Sequence, residues 1–235
     1  MKKTVYLLYL LAFGYPSFSQ SNLQNGLSLS VGASIPLNDF GSANLANNKA
    51  GFAQTGLAMS LAYNHHFKDS YLGWQFLVRG QRFTTQSEAM AASGAAVYAG
   101  NDWKVQSEAW QMGGLMLGLF ADLPLSAQTS FNLKAHMGLM GAQLPAYRLT
   151  VVNGSERTTY IRTEATESAI GYLLGLGFRT ALGPSTFLLF NLDYQGANFR
   201  FTEVEYKEGA VPTALEPLEV AFSAVTLNVG LAAQF

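Results

Sequence analysis

The stretch "VTLNVGLAAQF" places apolar Val225, Leu227, Val229, Leu231, Ala233 and Phe235 in strict alternation with Thr226, Asn228, Gly230, Ala232 and Gln234. A period of two belongs to a strand whose faces meet unlike surroundings. The pattern recurs along the chain. Leu27 to Ile35, Leu57 to Tyr63, Leu72 to Val78, Phe131 to Leu139, Tyr172 to Phe178 and Leu188 to Tyr194 each carry bulky apolar residues at every second position. An eighth run, "EAWQMGGLMLGLFADL", is apolar on both faces. Its periodicity alone leaves the orientation open; we read Leu115, Leu117, Leu119 and Ala121 outward, and Gly114, Gly118 and Asp122 inward.

The character of the second face decides what the first one meets. It mixes Gly, Ser, Asn and Gln with a few charges, and charged residues make up only 12% of the chain. A soluble sandwich would turn that face to water and stock it with Lys and Glu. A transmembrane barrel inverts the arrangement, with the apolar row in lipid and the polar row inside. A spanning helix, by contrast, needs about 20 mostly apolar residues. "MGGLMLGLFADLPL" is stopped by Asp122 and Pro124, and "IGYLLGLGFRTALGP" by Arg179 and Pro184. Small residues on the inner face suit a narrow eight-stranded barrel whose lumen side chains fill.

The connections agree. Short links at 67–71, 122–130 and 181–186 alternate with longer ones at 37–54, 84–104, about 144–165 and 206–218. That is the turn-and-loop rhythm of an up-and-down barrel, with short turns on the periplasmic side. The expected fold is all-β: an eight-stranded antiparallel up-and-down transmembrane β-barrel over residues 20–235. Its last strand pairs with "GLSLSVGASI" to close the ring. Residues 1–19 read as a signal peptide, with Lys2 and Lys3, a short apolar run from Val5 to Phe13, then Pro16 and small residues before Gln20.

Some strands are expected to outrun the membrane. In "YRLTVVNGSERTTYIRT", Asn153-Gly154 signals a type I′ hairpin that prolongs strands five and six, with Pro145 marking a bulge or edge. "GANFRFTEVEYKEGAV" extends strand seven towards a turn at Lys207–Gly209. "EAMAASGAAVYAGND" has little strand character and reads as a mobile outer loop.

Chemistry-bearing residues are few. With no Cys, disulfides, thiolate metal sites and Cys nucleophiles are excluded. A net charge of −1 offers no footprint for nucleic acid. His65 and His66 adjoin the first short turn, where Asp69 is the nearest acid, and make no metal site in sequence. No Ser, His and acid set stands out as a triad. Gly-rich "GLGF" precedes no helix, so a phosphate loop fails. Inward positions do carry charge: Arg79, Lys134, Arg179 and Asp193. A charge in a narrow lumen must be paired. We expect a network of these four with Gln75, Asn191 and Asn228, with His136 hydrogen-bonded inside. The network is either a structural plug or a gate. Tyr63, Trp74, Trp110, Tyr194 and Phe235 are candidates for interfacial aromatic girdles.

Three features together resemble a known group: the signal segment, "SVGASIPLNDFG" leading from the first strand into a loop, and "NVGLAAQF". The chain is similar to the small outer-membrane β-barrel families of Gram-negative bacteria, the OmpA transmembrane-domain, OmpX and PorT-like kind. The resemblance implies that Asn228, Gly230 and Phe235 act as an insertion signal for the barrel assembly machinery, although Ala233 is smaller than usual there. It implies a cell outer membrane location after export. Members serve as structural barrels, adhesins, small pores or accessory factors. No residues match lipid A deacylases, palmitoyl transferases or omptin proteases. The expected role is non-enzymatic, structural or surface-interacting, through extracellular loops and protruding hairpins. The alternative is a narrow pore or small-ligand-binding barrel. No cofactor, metal or nucleic acid is expected; the expected partners are outer-membrane lipid, the assembly machinery and an extracellular protein or surface ligand.

Overall fold

Alternating side chains, pleated backbone and short turns produce an antiparallel sheet that returns on itself. The computed structural model describes residues 25–235 apart from 45, 46, 48, 98–101 and 210, with backbone alone at 203 and 212–216. The signal-peptide assignment to 1–19 lies outside the described residues. The described elements are β1 (Asn25–Pro36), α1 (Asn38–Gly41), β2 (Ala53–His66), β3 (Leu72–Thr85), α2 (Ser87–Val97), β4 (Asp102–Ser107), β5 (Trp110–Pro124), β6 (Thr129–Leu144), β7 (Tyr147–Asn153), β8 (Glu156–Arg162), β9 (Ala165–Ala181), β10 (Thr186–Glu208) and β11 (Val211–Gln234). No described helix is long and apolar enough to cross a membrane.

Eight strands form a closed ring in the order β11, β1, β2, β3, β5, β6, β9, β10, with β10 returning to β11. The seam lies where the sequence predicts it. β1 runs against β11 from Gly26 opposite Gln234 to Pro36 opposite Ala224. Closure leaves the ring without an open edge, which lipid would not solvate. The apolar rows point out: Leu57 is 69% exposed, whereas Ser34, on the inner row, is 0% exposed. Leu115, Leu117 and Leu119 of β5 are outward too, with Met112, Met116 and Phe120 buried inside. A soluble protein would not leave so continuous an apolar belt uncovered; this is the exterior of a transmembrane barrel.

One end carries the short turns and the other everything else. At the loop end two expectations change. The stretch 88–102, expected as an outer loop, carries secondary structure on both sides of 98–101: Ser87–Val97 is helix α2, and Asp102–Ser107 is strand β4, paired with β7. A run of Ala around Glu88 and Met90 has helix propensity once its ends are anchored. The Asn-Gly hairpin exists, but not as a prolongation of strands five and six. β6 stops at Leu144, before Pro145, which lacks the N–H a ladder needs. β7 and β8 then pair with each other, with β8 on β10 and β7 on β4. Asn153 faces Glu156, and Gly154 alone takes positive φ, at 60°. Positive φ at the first central residue is the type II′ requirement, in place of the expected I′. β10 does extend as expected and turns at Gly209 (φ 61°) into β11.

Candidate functional site

Inward rows from eight strands meet in the lumen, and the ladder registers fix which side chains share a level. Lys134, Gly175 and Asp193 lie in one row across β6, β9 and β10. A Cβ on Gly175 would press on Lys134 Cε and sit 2.5 Å from Asp193 Oδ1. The glycine is what lets Lys134 cross a neighbouring strand to reach the carboxylate, with Nζ 2.9 Å from Oδ1. Arg79 comes from β3, which stands opposite β10 in the ring. Its Nη1 donates to Asp193 Oδ2 at 2.9 Å, so this pair spans the lumen. Both side chains are nearly inaccessible, at 1% and 3%. Asn228 Nδ2 donates to the same oxygen at 2.8 Å. Asp193 is thus the hub on which three other inward residues that the sequence singles out converge: Arg79, Lys134 and Asn228.

The rest of the expected network divides. Arg179 does not join Asp193; its Nη1 donates to Asp122 Oδ2 at 3.2 Å, and its guanidinium lies 3.6 Å from the Phe187 ring centroid. The same carboxylate receives Asn132 Nδ2 at 2.7 Å and sits 3.0 Å from His66 Nε2. Gln75 bonds to Asn64. Asn191 lines the space between the two hubs. His136 is buried, but neither ring nitrogen has a hydrogen-bond partner among the described residues, contrary to expectation. Sequence reasoning overlooked Asp122 as a hub because the residue ends an apolar run and reads as a stop. Its inward parity was the available signal.

Towards the loop end the lumen changes character. Leu77, Met116, Met140 and Leu173 close above the polar level. Beyond them Phe83, Trp110, Phe199, Phe201 and Phe222 form an aromatic core. Phe40, from α1, turns into its centre, with ring centroids 5.2 Å from Phe83, 5.4 Å from Trp110 and 5.0 Å from Phe222. Edge-on packing of this kind adds to the burial itself. Gln86 Nε2 ties the loop down by donating to the carbonyls of Gly41 at 3.0 Å and Ala53 at 2.9 Å. Trp110 is therefore a correction. It is 1% exposed and donates from Nε1 to the Gly51 carbonyl at 2.8 Å. It belongs to the plug and not to a lipid-facing girdle, because strand β5 is apolar on both faces and Trp110 falls on the inner parity.

The other girdle candidates face outward. Tyr63 and Trp74 pack together near the turn end, where Tyr63 Oη donates to Asn25 Oδ1 at 2.9 Å. Tyr194 packs beside Tyr172, next to the hub residue Asp193 and so well up the wall. Phe235 is 61% exposed at the turn-end rim. Of the residues proposed as an insertion signal, Asn228 is committed to Asp193, and Gly230 lies buried against β1, opposite Ser30.

At the loop end, the last residues of β10 (Tyr206–Glu208) pair with β8, which carries β7 and then β4, so a sheet branches from the ring. Its root is a stacked pair: the Arg162 guanidinium lies 4.4 Å over the Tyr147 ring, and Nη2 donates to the Pro145 carbonyl at 2.9 Å. Burial pushes the Tyr147 hydroxyl above its ordinary value, a rise that the nearby Arg162 partly opposes. Burial likewise lowers Arg162 from its usual range.

No family model and no curated protein matches the chain. Solved structures do. Neisserial surface protein A is 13% identical, with 90% of this chain and 97% of that one covered, at a TM-score of 0.49. Ail, the attachment invasion locus protein of Yersinia pestis, is 10% identical over 91% of this chain and 100% of that one, at 0.45. A major outer membrane protein from Thermus thermophilus is 11% identical over 90% and 99%, at 0.45. The class rests on the strand pairing: an eight-stranded barrel, lipid-facing outside and filled inside.

Proposed function

We propose that the protein is a non-enzymatic integral barrel of the outer membrane that works at the cell surface through its loop-end sheet. The observation that carries the reading is the edge of that sheet. Among the described residues β4, Asp102–Ser107, pairs as a strand on one side only, with β7, and ends the strand order. An edge strand presents a row of backbone donors and acceptors that an extended segment of another chain completes, with side-chain contacts supplying selectivity. The partner class is accordingly an extracellular protein offering a strand.

Two further features support the reading. The lumen carboxylates Asp193 and Asp122 are both committed to cations, so neither is poised as a general base. The aromatic core around Phe40 leaves the loop half of the lumen filled, which weighs against solute passage. Outer-membrane lipid against the apolar rows, and the assembly machinery at β11, are the remaining proposed partners.

The test displays the chain on cells and measures adhesion to a panel of immobilised extracellular-matrix proteins. Deleting 148–160 removes the ribbon that holds β4. Val105→Pro removes a donor from the edge strand. We expect both changes to abolish binding while the barrel still inserts. Wild-type adhesion by both variants would overturn the mechanism.

A further inference from the structure

Among the described residues, the turn half of the lumen holds an unbalanced charge. Three cations, Arg79, Lys134 and Arg179, are paired there with two carboxylates, Asp193 and Asp122. The two histidines at this level, His66 beside Asp122 and the buried His136, can add no negative charge. An unmatched charge held away from water is strongly unfavourable unless a counter-charge reaches it.

The space for one is present. Between the two hubs lies a polar cavity of about 50 Å³. Lys134, Arg179, Asn191 and Ser60 line it, along with both carboxylates. Several donors in and behind its wall have no protein partner among the described residues: Ser60 Oγ, Arg179 Nε, and Arg79 Nε and Nη2. Lys134, Arg179 and Asp122 keep side-chain exposures of 11%, 11% and 12%, so the cavity communicates with solvent at the turn end. The plug around Phe40 closes the other end. The cavity is far smaller than a pocket for a sugar or nucleotide, typically about 300 Å³ or more.

We propose that this cavity is a binding site for a small monovalent inorganic anion of halide size, held by Lys134 and Arg179 and entering from the turn end. The site is a dead-end vestibule and not a conduit. It is independent of the surface role proposed above, because no residue of β4, β7 or β8 lines it.

The test uses the full chain, prepared free of halide in a non-ionic detergent with gluconate as the only anion. Sodium bromide is titrated in at constant ionic strength while the unfolding midpoint is followed, and crystals grown in bromide are examined for anomalous scattering. A ligand that binds only the folded state raises the midpoint with concentration. We expect a bromide peak between Lys134 and Arg179, and a bromide-specific rise. Arg179→Gln removes the unmatched charge and should weaken the half-saturating concentration by about tenfold or more, the loss of one charge-assisted hydrogen bond. Asp122→Asn adds a further unmatched charge and should tighten binding. Arg179→Lys keeps the charge and should bind bromide if the Gln variant fails to fold. A cavity without an anomalous peak overturns the site. So does a bromide response that is the same in Arg179→Gln as in the wild-type chain.

Discussion

The two halves of one lumen solve the same packing problem with opposite chemistry. Both are lined by inward rows of the same eight strands. The turn half holds two carboxylates, three cations and their amide partners around a small polar cavity. The loop half holds five aromatic rings around Phe40, together with Met112, Leu144 and Val204. The aromatic half resembles the core of a soluble domain: it lies where strands leave the apolar belt, and it gains stability from burial in the ordinary way. The polar half is surrounded by lipid-facing strands. Its apolar surface is already outside, and the Arg79–Asp193 pair across the lumen binds opposite walls together. One barrel thus uses the hydrophobic effect in its loop half and electrostatic cross-links in its turn half.

Substitutions can test that contrast. Asp193→Ala should have the largest effect. It strands Arg79 and Lys134 without a counter-charge, at a cost of about 3–5 kcal/mol in denaturant unfolding from lipid vesicles. Phe40→Ala should follow, at about 3 kcal/mol for the lost ring and the cavity left behind. Planar-bilayer recordings separate the same two variants by function. If Phe40→Ala opens steady conductance and Asp193→Ala does not, the aromatic half is the barrier to ions; the reverse result moves the barrier to the polar half. Gly175→Ala should cost about 1–3 kcal/mol through overpacking. A crystal structure of that variant should show Lys134 displaced from Asp193. The smallest effect belongs outside both halves. Arg200 Nε and Glu219 Oε1 are 3.9 Å apart, with both side chains mostly exposed. Arg200→Ala should therefore shift unfolding by no more than about 0.5 kcal/mol.

The stacked root of the outer sheet adds a pH test. The buried Tyr147 hydroxyl has a raised pKa in the folded state. The unfolded chain ionises first as pH rises, so the contribution is complete below about pH 10 and is lost above it. Hydrogen exchange of β7 and β8 should quicken on alkalinisation, and Tyr147→Phe should remove that component of the response.

Much of the wall was legible in the sequence. The outward rows, the seam between β1 and β11 and the even strand count follow from a period of two and from link lengths. Asp193, Arg79, Lys134 and Asn228 were legible as inward residues, because parity alone decides which face a strand residue takes. Trp110 was misread because β5 is apolar on both faces, so aromatic character suggested lipid where parity led inward. Phe40 was legible only as part of the "SVGASIPLNDFG" loop start, and nothing local said that its ring would turn into the lumen. Pro145 was recognised as a disturbance, yet nothing local said that the chain would leave the wall and pair elsewhere.

Which residues face lipid and which face the lumen is written in the order of the chain, since alternation is a property of the extended backbone and needs no partner strand. Other contacts had to wait for the ring: that Arg79 meets Asp193 across the barrel, that Arg179 serves Asp122 instead, and that Phe40 seals the loop end. They depend on which strands stand opposite each other and at what stagger, and a closed ring sets both only when its last strand finds its first.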